Sequence, residues 1–379
     1  MRSFIPLLLL AACSAGGEAA ESGAAQANSS GARPFQVRPI AAFDEPWAMA
    51  FLPGPGPRAL ITEKKGKLKL LWSDSGRVTE VPGAPAVDYG GQGGFGDVVL
   101  HPDFERNRLV YLSWVEAGGG GNRGAVVGRG RLVEAPGRGV RLEGLKVIWR
   151  QTPKLSGRGH YGHRVAFGPD GKLYVSNGDR QEFTPAQDMS GTLGKIVRLN
   201  DDGTVPADNP FASRGGATAQ IWSLGHRNPL GIAFDGSGRL WDIEMGPKGG
   251  DELNLVERGK NYGYPIVSNG DHYDGKDIPD HPTRPEFEAP KVSWTPVISP
   301  GNMIFYSGSA FPAWRGDILV AGLSSKALIR VDVNGAGARE VERWDMGKRI
   351  REVEQGPGGS VWLLEDGEGG RLLKLTPAR

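Results

Sequence analysis

One cysteine, Cys13, stands among 379 residues, so no disulfide can staple the body of the chain. Beyond the first dozen residues no apolar run approaches the about 20 residues that a membrane-spanning helix needs. Blocks of like charge are missing too. The 45 basic and 43 acidic residues are interspersed for a formal charge of +2, which excludes the basic footprint of a nucleic-acid-binding protein. Uninterrupted helix-forming sequence is equally scarce: 59 glycines and 28 prolines fill nearly a quarter of the chain. At about 1 and 3 kcal/mol per interior position, they exclude a bundle of long helices. Disorder is excluded as well, because 39% of the residues are hydrophobic and ten are tryptophan, enough for a large core.

The N-terminus reads as an address. Arg2 precedes an apolar run from Phe4 to Ala12, too short to span a bilayer and typical of a secretory signal. Leu10-Ala11-Ala12-Cys13 resembles the lipobox of bacterial lipoproteins, in which the cysteine becomes the lipidated first residue. Ser14 follows, so the outer membrane is the expected destination. Residues 14–33 are small and polar without hydrophobic period and read as a flexible tether. The expected domains are a signal at 1–12, an anchor and tether at 13–33, and one folded body over 34–379.

That body repeats itself. A phrase made of an apolar residue, a Pro/Gly/Asp turn and a short alternating run recurs six times, beginning at Phe51, Leu100, Phe167, Phe234, Phe305 and Gln355. The intervals are 49, 67, 67, 71 and 50 residues. Each phrase couples a turn to a strand of period two, such as Leu173-Tyr174-Val175-Ser176, often with a further strand behind it. Radial repetition of such units predicts an all-β, six-bladed propeller. A large β-sandwich and a β-helix are the alternatives, and the spacing is too long for β-helix rungs. The long intervals between the third and fifth repeats leave room for insertions, of which the Asp/His/Pro-rich stretch 269–290 is one.

Four polar clusters lie after or between the repeat strands. Gly90-Gly91-Gln92-Gly93-Gly94 is a loop able to approach a flat ligand, or simply a glycine turn. His160-Tyr161-Gly162-His163-Arg164 is followed, one strand later, by Gly178-Asp179-Arg180. A histidine with a carboxylate from a neighbouring loop is the usual general-base arrangement, and a structural histidine looks the same in sequence. Arg227 and Asn228, in Gly225-His226-Arg227-Asn228-Pro229, offer donors to a charged ligand oxygen. The stretch from Glu244 to Asn254, leading on to Asn261-Tyr262, mixes carboxylates with Gly-rich backbone and suits calcium, although its spacing matches no EF-hand.

Taken in order, HYGHRVAFGPDGKLYVSNGD, IWSLGHRNPLGIAF, EMGPKGGDELNLVERGKNYGYP and KRIREVEQGPGG resemble the soluble quinoprotein sugar dehydrogenases, the glucose/sorbosone dehydrogenase family. Its aldose sugar dehydrogenases use pyrroloquinoline quinone (PQQ). The resemblance spans roughly residues 35–376 and implies the same six-bladed fold. It implies that His160 is the catalytic base, oriented by Asp179, and prefers His160 over His163. Gln92, Arg227, Asn228, Tyr273, Arg349 and Arg351 are implied as PQQ contacts, with Arg227 also stabilising charge during catalysis. The carbonyls of Gly246 and Pro247 are implied as ligands of a calcium ion that bridges to PQQ. The carboxylate of Glu252 and the carbonyl of Tyr262 are implied as ligands of a second, structural calcium. The implied reaction oxidises the anomeric hydroxyl of an aldose to a lactone and passes electrons to a periplasmic acceptor.

Two positions depart from the family pattern. Leu230 stands where a glutamine is usual. Gly322-Leu323-Ser324-Ser325-Lys326 lacks the usual Lys or Arg after Gly-Leu, so a carboxylate clamp is missing or supplied by Lys326. These departures keep two other readings open: a calcium-dependent lactonase, and a propeller that binds glycan or protein without catalysis.

Overall fold

The computed structural model describes residues 33–135, 137 and 139–378. The signal, Cys13 and the tether up to residue 32 therefore lie outside the described residues. Six four-stranded antiparallel sheets are arranged around one axis. Their innermost strands are Pro46–Leu52, Phe95–Leu100, Gly162–Phe167, Pro229–Phe234, Pro300–Phe305 and Ile350–Gln355, which open blades 1 to 6 in that order. Consecutive innermost strands are neighbours, and the sixth returns to the first. Ring closure is made by the N-terminal strand Phe35–Asp44, which pairs antiparallel with the C-terminal strand Glu368–Pro377 and completes blade 6.

Each of the six recurring phrases falls where an innermost strand ends and turns into the second strand of its blade. The repeat is thus the turn on one face of the disc. Period-two alternation has an equally direct cause, because the two faces of a strand serve different neighbours. In blade 1, Ala59 and Ile61 pack toward blade 6 with Trp362 and Leu364, while Leu60 packs toward blade 2 with Val98 and Leu112. Six such apolar clusters fill the six blade interfaces. At about 1.5–3 kcal/mol for each large apolar side chain buried, they hold the ring without disulfides. Among the described residues no helix is long and apolar enough to cross a membrane.

Every innermost strand also carries a register shift close to its start, at positions 46–48, 95–98, 162–165, 229–231, 300–302 and 350–352. An extra residue bends a strand and re-aims its side chains. All six irregularities lie at the same end of the channel, and that end holds the polar clusters.

Candidate active site

The loops on this face are of two kinds. Those linking one blade to the next carry Gln92, His160, Arg227, Asn228 and Arg349, and those after the second strand of a blade carry Lys64, Asp179, Gly246, Pro247 and Asp366. Rigid blades and variable loops thereby bring distant sequence into one place.

His160 and Asp179 are 6% and 0% exposed, and Nδ1 of His160 lies 2.6 Å from Oδ1 of Asp179. The carboxylate is fixed by the backbone N–H groups of Gln181 (3.0 Å) and Phe183 (3.2 Å). The N–H of His160 donates to Oε1 of Gln92 at 2.7 Å. Side chains at 160, 163, 180, 181 and 183 all sit at φ between 46 and 63°, a left-handed run that L residues adopt at a cost. Gly178 lets the two loops meet, since a Cβ there would collide with the carbonyl oxygen of His160. Burial pushes the His160 imidazole below the ordinary histidine range; Asp179 pulls it up, and Arg227 and Arg180 press it down again. A neutral ring that donates from Nδ1 to Asp179 keeps a lone pair on Nε2, the requirement for a general base.

His163, three residues on, meets different company. Its Nδ1 contacts Oγ of Ser113 at 2.8 Å, its ring stacks on Trp47, and burial drives its pKa down to about 3. Among the described residues no carboxylate orients it.

Two cavities open in this region, and His160 lines the first of them. One, of about 290 Å3, is lined by His160, Phe183, Arg227, Pro247, Tyr264 and Tyr273. Tyr273 is 75% exposed and stands over the Arg227 guanidinium at 5.9 Å. The other, of about 270 Å3, closes the end of the channel and includes Gln92, Leu230, Met245, Lys64, Arg349 and Arg351. Asp366 holds both arginines, accepting from Nε of Arg349 at 2.8 Å and Nη2 of Arg351 at 2.9 Å. Lys64 adds a third cation, lowered by burial and by Arg351, while Glu45 and Asp366 raise it. Lys326 is exposed and borders neither cavity, so it is not the replacement clamp; the additional cation is Lys64. Leu323, not Ser324, faces the channel, and Leu230 makes the floor apolar beside Trp47.

The remaining implied ligands sit beside Arg227. Its Nη1 donates to the carbonyls of Met245 and Gly246, its Nε is buried without a partner among the described residues, and its N–H donates to Glu244 at 2.5 Å. Asn228 is buried, with its N–H on the same Glu244 carboxylate and Oδ1 accepting from Gly162. Glu252 is buried, and its acidity is suppressed by desolvation and by Glu244 and Asp242. The carbonyl of Tyr262 faces Nε2 of His281 at 3.2 Å, and Nδ1 of the same ring is 4.0 Å from Glu252. His281 therefore stands between the two implied ligands of the structural calcium. His226, Asp242 and Glu244 converge just behind them.

Sequence reasoning passed over Lys64, Asp366 and His281. A signal for the first two existed: each lies immediately after a second strand, the blade position that supplies Asp179 in blade 3. His281 lies inside the 269–290 insertion and has no such marker.

Comparison with known proteins gives the family and the fold. Residues 43–374 match the family model described as glucose/sorbosone dehydrogenase. The aldose sugar dehydrogenase YliI of Escherichia coli (strain K12) is 40% identical over 341 residues, covering 88% of this chain and 90% of its own. A crystal structure of a glucose dehydrogenase superposes with a TM-score of 0.84 at 42% identity, over 91% of this chain and all of the other. The PQQ-bound aldose sugar dehydrogenase of Streptomyces coelicolor superposes with a TM-score of 0.74 at 27% identity, over 90% and 98% of the two chains.

Proposed function

Since the chain belongs to the glucose/sorbosone dehydrogenase family and thus to the sugar-dehydrogenase oxidoreductases, we propose that it is a PQQ-dependent quinoprotein oxidising the anomeric hydroxyl of aldoses to lactones. The observation that carries this reading is an oriented histidine lining one cavity, whose hydrogen-bond partner Gln92 and chain neighbour Tyr161 line a second cavity walled by three cations. The donor set fits the cofactor. Arg349, Arg351 and Lys64 suit a planar polycarboxylate, and guanidinium forks pair well with carboxylates. The Nε of Arg227, without a partner among the described residues, and the side-chain amide of Asn228, whose Nδ2 meets only the sulfur of Met245 among them, suit quinone oxygens.

When bound, PQQ supplies the two-electron oxidant that the side chains lack. The chain supplies the proton chemistry and the field. Nε2 of His160 takes the proton of the anomeric hydroxyl, and Asp179 steadies the imidazolium that results. Arg227 provides positive charge where negative charge develops, in a site partly shielded from water by Phe183, Tyr264 and Tyr273. Calcium is part of the proposal. Glu252, Glu244 and Asp242 form an oxygen-rich buried cluster, and Oδ1 of Asp242 and Oδ1 of Asn254, which have no hydrogen-bond partner among the described residues, suit a hard cation. At the carbonyls of Gly246 and Pro247 a cation would have to share Gly246 with Arg227.

The lactonase reading needs a central calcium held by carboxylates. The channel carboxylates Asp97 and Glu352 are already paired with Arg164, at 3.3 and 2.8 Å. Purified protein supplied with PQQ and Ca2+ and offered a panel of aldoses tests the proposal by dye reduction. Lactone hydrolysis without dye reduction, or glycan binding with neither activity, would replace it. We further propose a lipid anchor at Cys13 that holds the protein at the outer membrane, where a periplasmic acceptor takes its electrons; membrane release in Cys13→Ser tests the anchor.

A further inference from the structure

Arg180 follows Asp179 directly, yet its side chain turns away from that carboxylate. It is 1% exposed, and all its hydrogen bonds go to backbone carbonyls. Nε donates to Gly159 at 2.8 Å, Nη1 to Arg123 at 3.0 Å and Nη2 to Gly157. The guanidinium lies over the ring of Tyr161 at 3.9 Å. Gly159 and Tyr161 are the two chain neighbours of His160, so Arg180 holds the backbone on one side of the base and the neighbouring side-chain ring on the other. Among the described residues no carboxylate makes an ion pair with it. Burying a cation on neutral carbonyls alone is expensive, and the cost needs a return.

We propose that Arg180 is the positioning residue of the His160–Asp179 pair, clamping residues 157–161 so that the imidazole stays on Asp179 with Nε2 free. The link is short in both directions: Asp179 and Arg180 are consecutive, and one holds the ring while the other holds the backbone that carries it. His160 itself is left-handed, at φ 46°. Without the clamp the loop would relax toward ordinary backbone geometry and withdraw the ring. Charge reinforces shape. The ionised groups that act on His160 are Asp179, which favours the imidazolium, and Arg227 and Arg180, which oppose it. His272 and the phenols of Tyr264 and Tyr273 line the cavity that His160 borders. A neutral residue of equal size at 180 would supply neither the fork nor the charge.

The role of the pair rests on the proposed dehydrogenase reading, so the test has one arm that needs no turnover. In cofactor-free protein the His160 ring is followed by NMR through a pH titration, its signals assigned by their loss in His160→Gln. Arg180→Met should raise the His160 midpoint by about half a unit or more, as loss of a nearby cation does. Arg180→Lys, which keeps the charge and loses the fork, should leave the midpoint within a few tenths. In PQQ-loaded enzyme both variants should lose at least about tenfold in kcat through misplacement of the base. The acid limb of the pH profile should move up only in Arg180→Met. An unshifted midpoint in folded Arg180→Met, or wild-type kcat in Arg180→Lys, overturns the proposal. If Arg180→Met does not fold, the Lys variant still decides through kcat. Should wild-type protein oxidise no sugar, the dehydrogenase reading falls, while the titration still reports on Arg180.

Discussion

Two histidine–carboxylate sites lie within the same propeller, both buried, and they end in opposite electrical states. At His160 the single carboxylate Asp179 is countered by Arg227 and Arg180, and burial tips the ring to neutral. At His226, burial also opposes charge, but Asp242 and Glu244 both lie 3.1 Å from Nδ1 and lift the ring to about 9. The second histidine is an internal cation. It faces the carboxylates of Asp242 and Glu244, the second of which also accepts from the backbone N–H groups of Arg227 and Asn228, and its ring stacks on Tyr262. The company of charges, rather than burial or the presence of an acid, separates a base from a counter-ion.

Removing each histidine sharpens that contrast. His160→Ala should lower turnover by about 10²–10⁴-fold, the usual cost of losing a general base, with PQQ still bound in a spectroscopic titration. His226→Ala should act instead on folding, since stripping a buried charge of its partner costs about 3–5 kcal/mol; chemical denaturation measures it. Asp179→Asn tests the contrast from the other side. Without the carboxylate the ring loses its orientation, turnover falls, and the acid limb of kcat/KM moves to lower pH, because the group that raised His160 is gone.

In the wild type that limb should already lie below about 6.5, the unperturbed value, since the folded ring resists protonation. The same shift has a stability sign. As pH falls below about 6.5, the unfolded chain binds a proton that folded His160 refuses, so unfolding free energy drops; His160→Gln should flatten this drop in acid-denaturation series. Smallest of all should be the effect of His163→Ala on turnover, less than about tenfold, because that ring meets Ser113, Trp47 and Tyr161 and pairs with no carboxylate among the described residues.

Much of this was legible in the residues. The six phrases mark turns that every blade must make, so they survive as pattern and disclose the ring. Strand alternation was legible for the same reason, each face serving one interface. The six register shifts were not, because one extra residue at a strand start leaves no compositional trace. The His160 and Asp179 motifs were visible through their family resemblance. Lys64 and Asp366 act through partners on other loops, and their significance appears only when blades 1 and 6 are brought side by side. The stretch around Leu323 to Lys326 misled for a related reason: which side chain faces the channel depends on a tight turn, in which Lys326 takes φ 51° and points its charge elsewhere.

The strand that closes the ring also sets the orientation of the whole molecule. Phe35 pairs with Pro377, and Asp44 with Glu368. Since Glu368 adjoins the loop of Asp366, the strand Phe35–Asp44 runs toward the catalytic face from the opposite one. Both described ends of the chain therefore emerge on the side away from the cavities. A surface, fusion partner or electrode joined at either end would leave the mouth of the site pointing outward, open to solution. A pull on the N-terminal segment would be borne first by the Phe35–Asp44 seam, so the strand that takes the load is also the latch of the ring.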